Sequence, residues 1–185
     1  MLHVCCAPCC TYPITVLRGE FDVELFYYNP NIHPEEEYKT RLDEAEKYAA
    51  KAGVIIHKPA YEAAAWFRAT SGLQDKPEGG DRCEICYRMR LGKSARFAAA
   101  NGFDYFATTL SISPHKDAEL INEIGRMIAD LYTLKFYSAD FKRSDGFKKS
   151  AKMSKEAGLY RQDYCGCQYS KIRQKRRLRD TRSLA

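Results

Sequence analysis

Eight cysteines stand in three short groups of this 185-residue sequence. The groups are CCAPCC at 5–10, CEIC at 83–86 and CGC at 165–167. The first residues carry neither the basic nor the apolar segment of a secretory signal, so we expect a cytoplasmic protein whose thiols stay reduced. Cysteines scattered through a core would not cluster in this way. The spacing therefore predicts metal binding or redox chemistry rather than structural disulfides.

The first group lies at the end of a predicted buried strand. We predict Thr11 as the N-cap of the helix that follows, which puts Cys9 and Cys10 just before the helix amino-terminus. The partial positive charge at that terminus favours a thiolate over a thiol, as a metal ligand or a nucleophile requires. Cys5 and Cys6 should point to opposite faces of the strand, so we expect no more than one of them to join the other thiols.

The second group follows a helix-start signal. Asp81 and Glu84 resemble a capping box that begins a helix at Arg82. Cys83 and Cys86 then share one face of the first turn. Four thiolates from two helix starts suit an iron–sulfur cluster or zinc. Iron–sulfur is favoured, because a chain with its own core has less need of a structural zinc.

The third group, Cys165 and Cys167 with one glycine between them, has two interpretations. One is a strained, redox-active disulfide, and the other is a pair of further metal ligands or passive thiols. The preceding segment YRQDY at 160–164 offers stacking, phosphate-binding and proton-carrying groups, which suits an RNA base and its backbone. His115 follows a predicted strand, where it could donate a proton, contact phosphate or only shape the loop.

The net charge of +6 comes from the C-terminal segment. Residues 171–185 hold seven lysines and arginines and one acid, whereas residues 1–170 hold 23 charges of each sign. A basic arm on a neutral domain fits a polyanion, with RNA or DNA favoured over a membrane because apolar anchors are missing. The alternative is a solvated helix end that only aids solubility.

Strand and helix patterns alternate along the chain and must position these groups. Strands are predicted at 2–6, 22–28, 54–57, 103–110 and 134–138, and helices at 34–52, 61–69, 83–101 and 117–131. This alternation predicts a three-layer α/β fold with a five-stranded parallel sheet and helices on both faces. Ligands of such sheets bind beyond the carboxyl ends of the strands, so we expect the cysteine-rich metal site at that edge. We predict one domain over residues 1–170 and a basic tail over residues 171–185.

Four segments together resemble the cobalamin-independent epoxyqueuosine reductase family. They are HVCCAPCC at 3–10, GDRCEICYRMR at 80–90, TTLSISPHK at 108–116 and YRQDYCGCQYS at 160–170. The resemblance keeps this order along the chain and leaves out the basic tail. It implies a fold similar to adenine nucleotide alpha-hydrolases. It also implies the last step of queuosine synthesis, which removes the epoxide oxygen from epoxyqueuosine at the tRNA wobble position.

The same resemblance implies roles for the cysteines. The ligands of a [4Fe–4S] cluster match Cys9, Cys10, Cys83 and Cys86. The redox-active pair matches Cys165 and Cys167. An additional iron beside the cluster would share Cys9 or recruit Cys5 or Asp81.

Removal of an epoxide oxygen to leave an alkene consumes two electrons and two protons. The dithiol of Cys165 and Cys167 could supply an electron or re-reduce the centre while it becomes a disulfide. Asp163, Tyr164 or His115 could supply a proton. We expect tRNA phosphates to contact Arg161, Lys171, Arg173, Lys175, Arg176 and Arg177. The expected partners are therefore tRNA and an electron donor that the sequence does not identify, with no membrane.

Two other functions would use the same residues. An iron–sulfur-dependent tRNA thiolase would share the fold and the cysteines. It should bind ATP through a Ser-Gly-Gly-type loop after the first strand, where this chain has CCAPCC. A non-catalytic zinc protein that binds RNA needs only the thiols and the tail, and it would be colourless.

Overall fold

The computed structural model describes residues 1–172, which contain one sheet of five parallel strands. The strands are β1 (Leu2–His3), β2 (Leu25–Phe26), β3 (Ile56–His57), β4 (Tyr105–Thr108) and β5 (Lys135–Phe136). Their order across the sheet is β3-β2-β1-β4-β5, so the chain starts in the centre, builds one edge and then crosses to build the other. This confirms the predicted α/β class and the five-stranded parallel sheet. The likeness to adenine nucleotide alpha-hydrolases stays a prediction.

Helices cover both faces of the sheet. They are α1 (Ala7–Leu17), α2 (Glu35–Ala52), α3 (Ala63–Ala69), α4 (Asp81–Ala100), α5 (Ala118–Leu131) and α6 (Gly146–Glu156), and a 3-10 helix at Thr109–Ile112 follows β4. Leu25 and Tyr27 belong to a core shared with α1 and α2. Phe26 and Tyr28 belong to a core shared with α4 and α5. Alternate residues thus bury both faces of the sheet, as the three-layer prediction requires.

Helix α1 begins earlier than the sequence predicts. Cys6 is its N-cap, with an extended φ of −172°, and Pro8 stands in the first turn, where its missing N–H would have no helical partner. Thr11 lies inside the helix, and its hydroxyl donates to the carbonyl of Pro8 at 3.1 Å. The prediction of Thr11 as the N-cap is therefore wrong, and Cys9 and Cys10 lie in the first turn instead of before it.

Helix α4 begins at Asp81, and Gly80 is its N-cap. The carboxylate of Asp81 forms an ion pair with Lys76 at 3.0 Å instead of capping the helix. The predicted capping box is therefore wrong. The helix still carries Cys83 and Cys86 near its amino-terminus, as expected.

Helix α6 packs along α1, although the sequence patterns predict no helix after β5. Ser150 lies at this contact: its hydroxyl is 2.6 Å from the carbonyl oxygen of Pro8 and 3.1 Å from the hydroxyl of Thr11. Gly146 lets the start of α6 approach Phe141, because a Cβ at residue 146 would come within 1.8 Å of the Phe141 carbonyl oxygen. Helix α6 is therefore held beside the first cysteine group.

Residues 168–172 are helical, and residues 173–185 lie outside the part that the structure describes. The division into a domain at 1–170 and a basic tail at 171–185 stays a prediction. Within residues 1–172, no helix has both the length and the apolar composition that a membrane crossing needs.

Candidate active site

A cavity of about 590 Å³ opens at the carboxyl ends of β1 and β4. Its walls come from the segment after β1, the segment 109–116 after β4, helix α6 and the segment 161–165. Parallel strands bring the segments that follow them to one edge of the sheet, which is where the sequence predicts the site. Cys5, Cys9 and Cys165 all line this cavity, so two cysteine groups distant in sequence share one space.

Cys5, Cys6 and Cys9 form a compact group, here called the thiol triad. Their sulfur atoms all lie within 4.8 Å of one another. The Sγ atoms of Cys6 and Cys9 are 2.8 Å apart, and Gln162 Nε2 donates to Cys6 Sγ at 3.0 Å. The expectation that only one of Cys5 and Cys6 could join is wrong, because β1 ends at His3 and strand alternation does not extend to these residues. Three thiols at this separation can bind a metal ion.

Electrostatic interactions within the thiol triad favour a thiolate at Cys5. Hydrogen bonds from Cys6 and Cys9 lower the pKa of Cys5 well below its ordinary value, and the charges of Arg90 and Lys116 act in the same direction. Burial raises the pKa of Cys6 to about 12. A metal ion that binds here would replace the shared protons, since thiolates are the ligating form.

Cys83, Cys86, Cys165 and Cys167 form the second group, here called the thiol quartet. They line a small cavity of about 20 Å³, and Cys165 also lines the large one. All four are free thiols in the structure. The hydrogen bond from Cys167 lowers the pKa of Cys165 to about 6, and the charge of Lys116 contributes. The structure therefore brings the third cysteine group to the second.

Lys116 lies against both cavities. Burial alone would lower its pKa, but the thiolates of Cys165 and Cys5 raise it, and the net shift is upward. Its ammonium group is thus held in the charged form between the two groups of thiols.

The side chains around the thiol quartet fit a bound group that accepts hydrogen bonds. Trp66, Arg82 and Arg90 line the small cavity with buried N–H groups. Burial raises the pKa of the Cys86 thiol, and the Arg90 charge together with hydrogen bonds from Trp66 and Arg90 acts in the opposite direction. N–H groups beside metal-bound sulfur donate to it and tune the centre. Thiols surrounded by such N–H groups fit a metal centre held by thiolates.

Two residues of the predicted ligand set lie apart from these groups. Cys10 is fully buried in the core between α1 and the sheet, and its thiol donates to the Ala7 carbonyl at 3.1 Å. Asp81 is exposed and paired with Lys76, and it lines neither cavity. The roles of Cys10 and Asp81 as ligands stay predictions from the resemblance.

A buried arginine fixes the backbone of the third cysteine group. Arg41, which is 2% exposed, donates to the carbonyl of Tyr164 at 3.1 Å and to that of Cys165 at 3.3 Å. The N–H of His33 donates to the carbonyl of Gly166 at 2.8 Å. Three consecutive peptide groups are thereby tied to α2 and to the segment before it, which sets the position of Cys165 in the cleft.

The predicted proton carriers reach the large cavity in different ways. His115 and Asp163 line it. Tyr164 also lines it, but its hydroxyl donates to the carbonyl of His33 and burial raises the pKa of Tyr164 to about 12. The hydroxyl of Tyr164 is therefore engaged elsewhere.

Only part of the predicted RNA-contacting set can be located. Arg161 lines the large cavity and is exposed. The Lys171 ammonium lies 5.0 Å from the centre of the Tyr164 ring. The other members lie outside the described residues: Arg173, Lys175, Arg176 and Arg177.

Sequence reasoning misses Cys6, Gln162 and Arg41 as site residues. Pro8 indicates the position of Cys6, because proline is typical of the first turn of a helix and the N-cap then falls just before it, at Cys6. Arg41 stands four residues before Ala45 on the apolar stripe of α2, and a charge on that stripe signals a buried, partnered side chain. Gln162 lies in the YRQDY segment that the sequence singles out, but nothing in that segment indicates a contact with Cys6.

Comparison with known proteins identifies the family. A family model described as "Epoxyqueuosine reductase QueH" matches residues 1–173. The chain belongs to this family. The QueH protein of Streptococcus pyogenes serotype M1 is 41% identical over 176 residues, which cover 92% of this chain and 69% of that protein.

Two further QueH relatives match nearly as well. The protein of Acinetobacter baylyi is 37% identical over 98% of this chain and 81% of its own length. The protein of Thermotoga maritima is 37% identical over 92% of this chain and 88% of its own length. Both carry the name epoxyqueuosine reductase QueH, so the resemblance to this family drawn from four short segments is confirmed over almost the whole chain.

Proposed function

We propose that this protein reduces epoxyqueuosine to queuosine at the wobble position of tRNA, as the last step of queuosine synthesis in the cytoplasm. The observation that carries the proposal is the cavity shared by Cys5, Cys9 and Cys165, in a chain whose relatives bear the name of this reaction. A volume of about 590 Å³ suits a single nucleoside that leaves its stack.

The two groups of thiols are suited to hold the cofactor. The resemblance assigns a [4Fe–4S] cluster to Cys9, Cys10, Cys83 and Cys86. The short sulfur separations in the thiol triad support Cys5 and Cys6, together with Cys9, as ligands of an additional iron. When bound, an iron–sulfur cluster supplies single electrons.

Cys165 and Cys167 can supply the electrons and protons that the reaction consumes. Two carbon–oxygen bonds break, an alkene forms and the oxygen leaves as water, which consumes two electrons and two protons. Oxidation of the dithiol to a disulfide releases the same number of each. An electron donor of the cell must then reduce the disulfide before the next turnover. Cys165 borders both cavities, as this role requires.

The remaining residues of the cavity position the substrate and move protons. The charged ammonium of Lys116 stabilises negative charge that develops on the departing oxygen. His115 and Asp163 line the cavity and carry protons to it. Arg161 and the basic residues after it contact tRNA phosphates.

The test compares modified nucleosides of tRNA, by mass spectrometry, from cells with and without the gene. Loss of the gene should replace queuosine by a species heavier by one oxygen atom, and the wild-type gene should restore queuosine. A gene encoding Cys165→Ser should not restore it, because the dithiol cannot close.

Unchanged queuosine in a strain with no second reductase would overturn the proposal. A missing thiolated nucleoside would indicate the thiolase instead. Purified protein without visible absorbance, from cells whose tRNA is unchanged, would indicate the zinc-containing RNA-binding protein.

A further inference from the structure

Helix α6 forms one wall of the large cavity. Phe147, Ser150, Ala151 and Ser154 line the cavity from this helix. The hydroxyl of Ser150 donates to the carbonyl of Pro8, in the turn that also carries Cys9. The helix is therefore held at a fixed distance from the thiol triad, and whatever contacts its outer side stands at the mouth of the cavity.

The residues of α6 divide into stripes around its axis, because successive residues are about 100° apart. Gly146, Ser150 and Ser154 are buried against α1. The next stripe, Phe147 and Ala151, faces the cavity. The stripe beyond it consists of three exposed lysines, Lys148, Lys152 and Lys155.

The fourth lysine of the helix stands on the other flank. Lys149 lies across the buried stripe from the cavity, and its ammonium is 5.3 Å from the centre of the Tyr12 ring. The helix thus carries three lysines on the stripe next to its cavity-facing residues and one lysine on the opposite flank.

The segment that carries α6 has more basic than acidic residues. Residues 140–156 contain six lysines and arginines and three acids, Asp140, Asp145 and Glu156, and Asp140 pairs with Lys142 and Arg143. Lys148 pairs with Asp145 at 2.7 Å, and Lys152 lies 3.9 Å from Glu156. The Lys155 ammonium has no ion pair or hydrogen bond within residues 1–172. Exposed pairs contribute little energy, so an anion with several charges can displace these contacts.

Phe147 places an aromatic ring among these charges. It is 39% exposed at the mouth of the cavity, on the turn that begins α6. A single exposed ring bordered by lysines differs from the wide apolar patch that marks a protein interface. It is the combination with which proteins hold single-stranded nucleic acid, where rings stack on bases and cations contact phosphates.

We propose that α6 docks the RNA strand next to the nucleotide that enters the cavity. Phe147 stacks on a neighbouring base, and Lys148, Lys152 and Lys155 contact the phosphates. The inference deepens the proposed function and takes from it the identity of the RNA as tRNA. It assigns the docking of RNA to the folded domain, in addition to the basic segment at the C-terminus.

The experiment measures the affinity of metal-loaded protein for unmodified tRNA at several salt concentrations. Phe147→Ala should weaken binding by about tenfold, because one stacked base is lost. Lys155→Glu should weaken binding severalfold, and the slope of the logarithm of the binding constant against the logarithm of the salt concentration should become shallower by about one. Lys149→Glu is the matched control, with the same charge change on the same helix, and its affinity should stay within about twofold of wild type. Melting temperatures of all three variants establish that each is folded.

Equal affinities for Phe147→Ala, Lys155→Glu and Lys149→Glu would overturn the docking face, and so would wild-type protein that fails to bind tRNA. Binding to vesicles of anionic phospholipid is measured for the same proteins. If Phe147→Ala and Lys155→Glu lose vesicle binding but keep tRNA binding, α6 contacts a membrane and the proposal is overturned. The proposed reaction is tested independently of the docking face, by the dependence of queuosine on the gene. If queuosine is independent of the gene while the two variants still weaken tRNA binding, the docking face stands and the reaction falls. If queuosine depends on the gene while the variants bind normally, the docking face alone falls.

Discussion

Gly166 separates the two cysteines of the third group and allows them to lie against α2. Its φ of +106° is in the region that L side chains rarely adopt. A Cβ there would lie 2.8 Å from Ile32 Cγ1 and 3.3 Å from the Arg41 guanidinium. The position of Cys165 therefore depends on a residue without a side chain.

Gly166→Ala should lower the free energy of unfolding by about 2–3 kcal/mol, through strain at positive φ and crowding together. It should also displace Cys165 and reduce turnover. Gly158→Ala is the matched control: its φ is +65°, and nothing lies within 4 Å of the added methyl group. Denaturant unfolding of both variants gives the comparison. Equal losses of stability would show that crowding against Ile32 and Arg41 has no effect.

At the scale of single elements, close packing and helix propensity have opposite effects on stability at the contact between α5 and β5. Gly125 stands inside α5, where alanine would ordinarily stabilise the helix by about 1 kcal/mol. Here a Cβ would lie 2.4 Å from the ring of Phe136 on β5, a separation that requires the ring to move.

Gly125→Ala should therefore destabilise the protein by about 1–2 kcal/mol, because overpacking costs more than propensity returns. Gly92→Ala in α4 is the control, since its added methyl group meets nothing within 4 Å and should stabilise by about 0.5–1 kcal/mol. Thermal unfolding distinguishes the two signs. A gain in melting temperature for Gly125→Ala would contradict the geometry of this contact.

The elements that the sequence predicts are those whose buried stripes are apolar. Apolar periodicity predicts helix α2, and the observed bounds agree closely with that prediction. Periodicity does not predict helix α6, because its buried residues Gly146, Ser150 and Ser154 carry no hydrophobic signal. The two serines instead hydrogen-bond to α1. The prediction that no more than one of Cys5 and Cys6 joins the other thiols is wrong because β1 ends at His3, before strand alternation reaches them. Hydrophobic periodicity detects only elements that are buried through apolar residues. It therefore does not predict an element such as α6, whose contact is made by small polar residues.

At the scale of the whole molecule, the described residues hold the thiol quartet in place through an aromatic group that joins several elements. His33 stacks on Phe67 with ring centres 4.4 Å apart and lies 5.1 Å from the Trp66 ring. Trp66 packs against Cys86 and Cys167. The side of the molecule that carries the quartet therefore depends on an uncharged imidazole.

Acid should weaken this arrangement. Burial lowers the pKa of His33 from 6.5 to about 4, so between these values the unfolded chain binds more protons than the folded one and stability falls as pH falls. With partial solvent screening, the loss from this residue is about 1 kcal/mol between pH 7 and pH 5. The ring donates from Nδ1 to the Tyr61 hydroxyl oxygen at 3.0 Å, and that hydroxyl donates to the Ile32 carbonyl. His33→Asn keeps a donor near Nδ1 and removes the titration.

The free energy of unfolding of wild type and His33→Asn is measured from pH 7 to pH 4.5, and the variant should lose less stability over this range. His115→Asn changes an exposed histidine and should follow the wild-type curve. Parallel curves for wild type and His33→Asn would mean that the imidazole is not buried in its neutral form. A smaller acid loss in His33→Asn than in wild type would place the acid-sensitive contact at the aromatic group around His33.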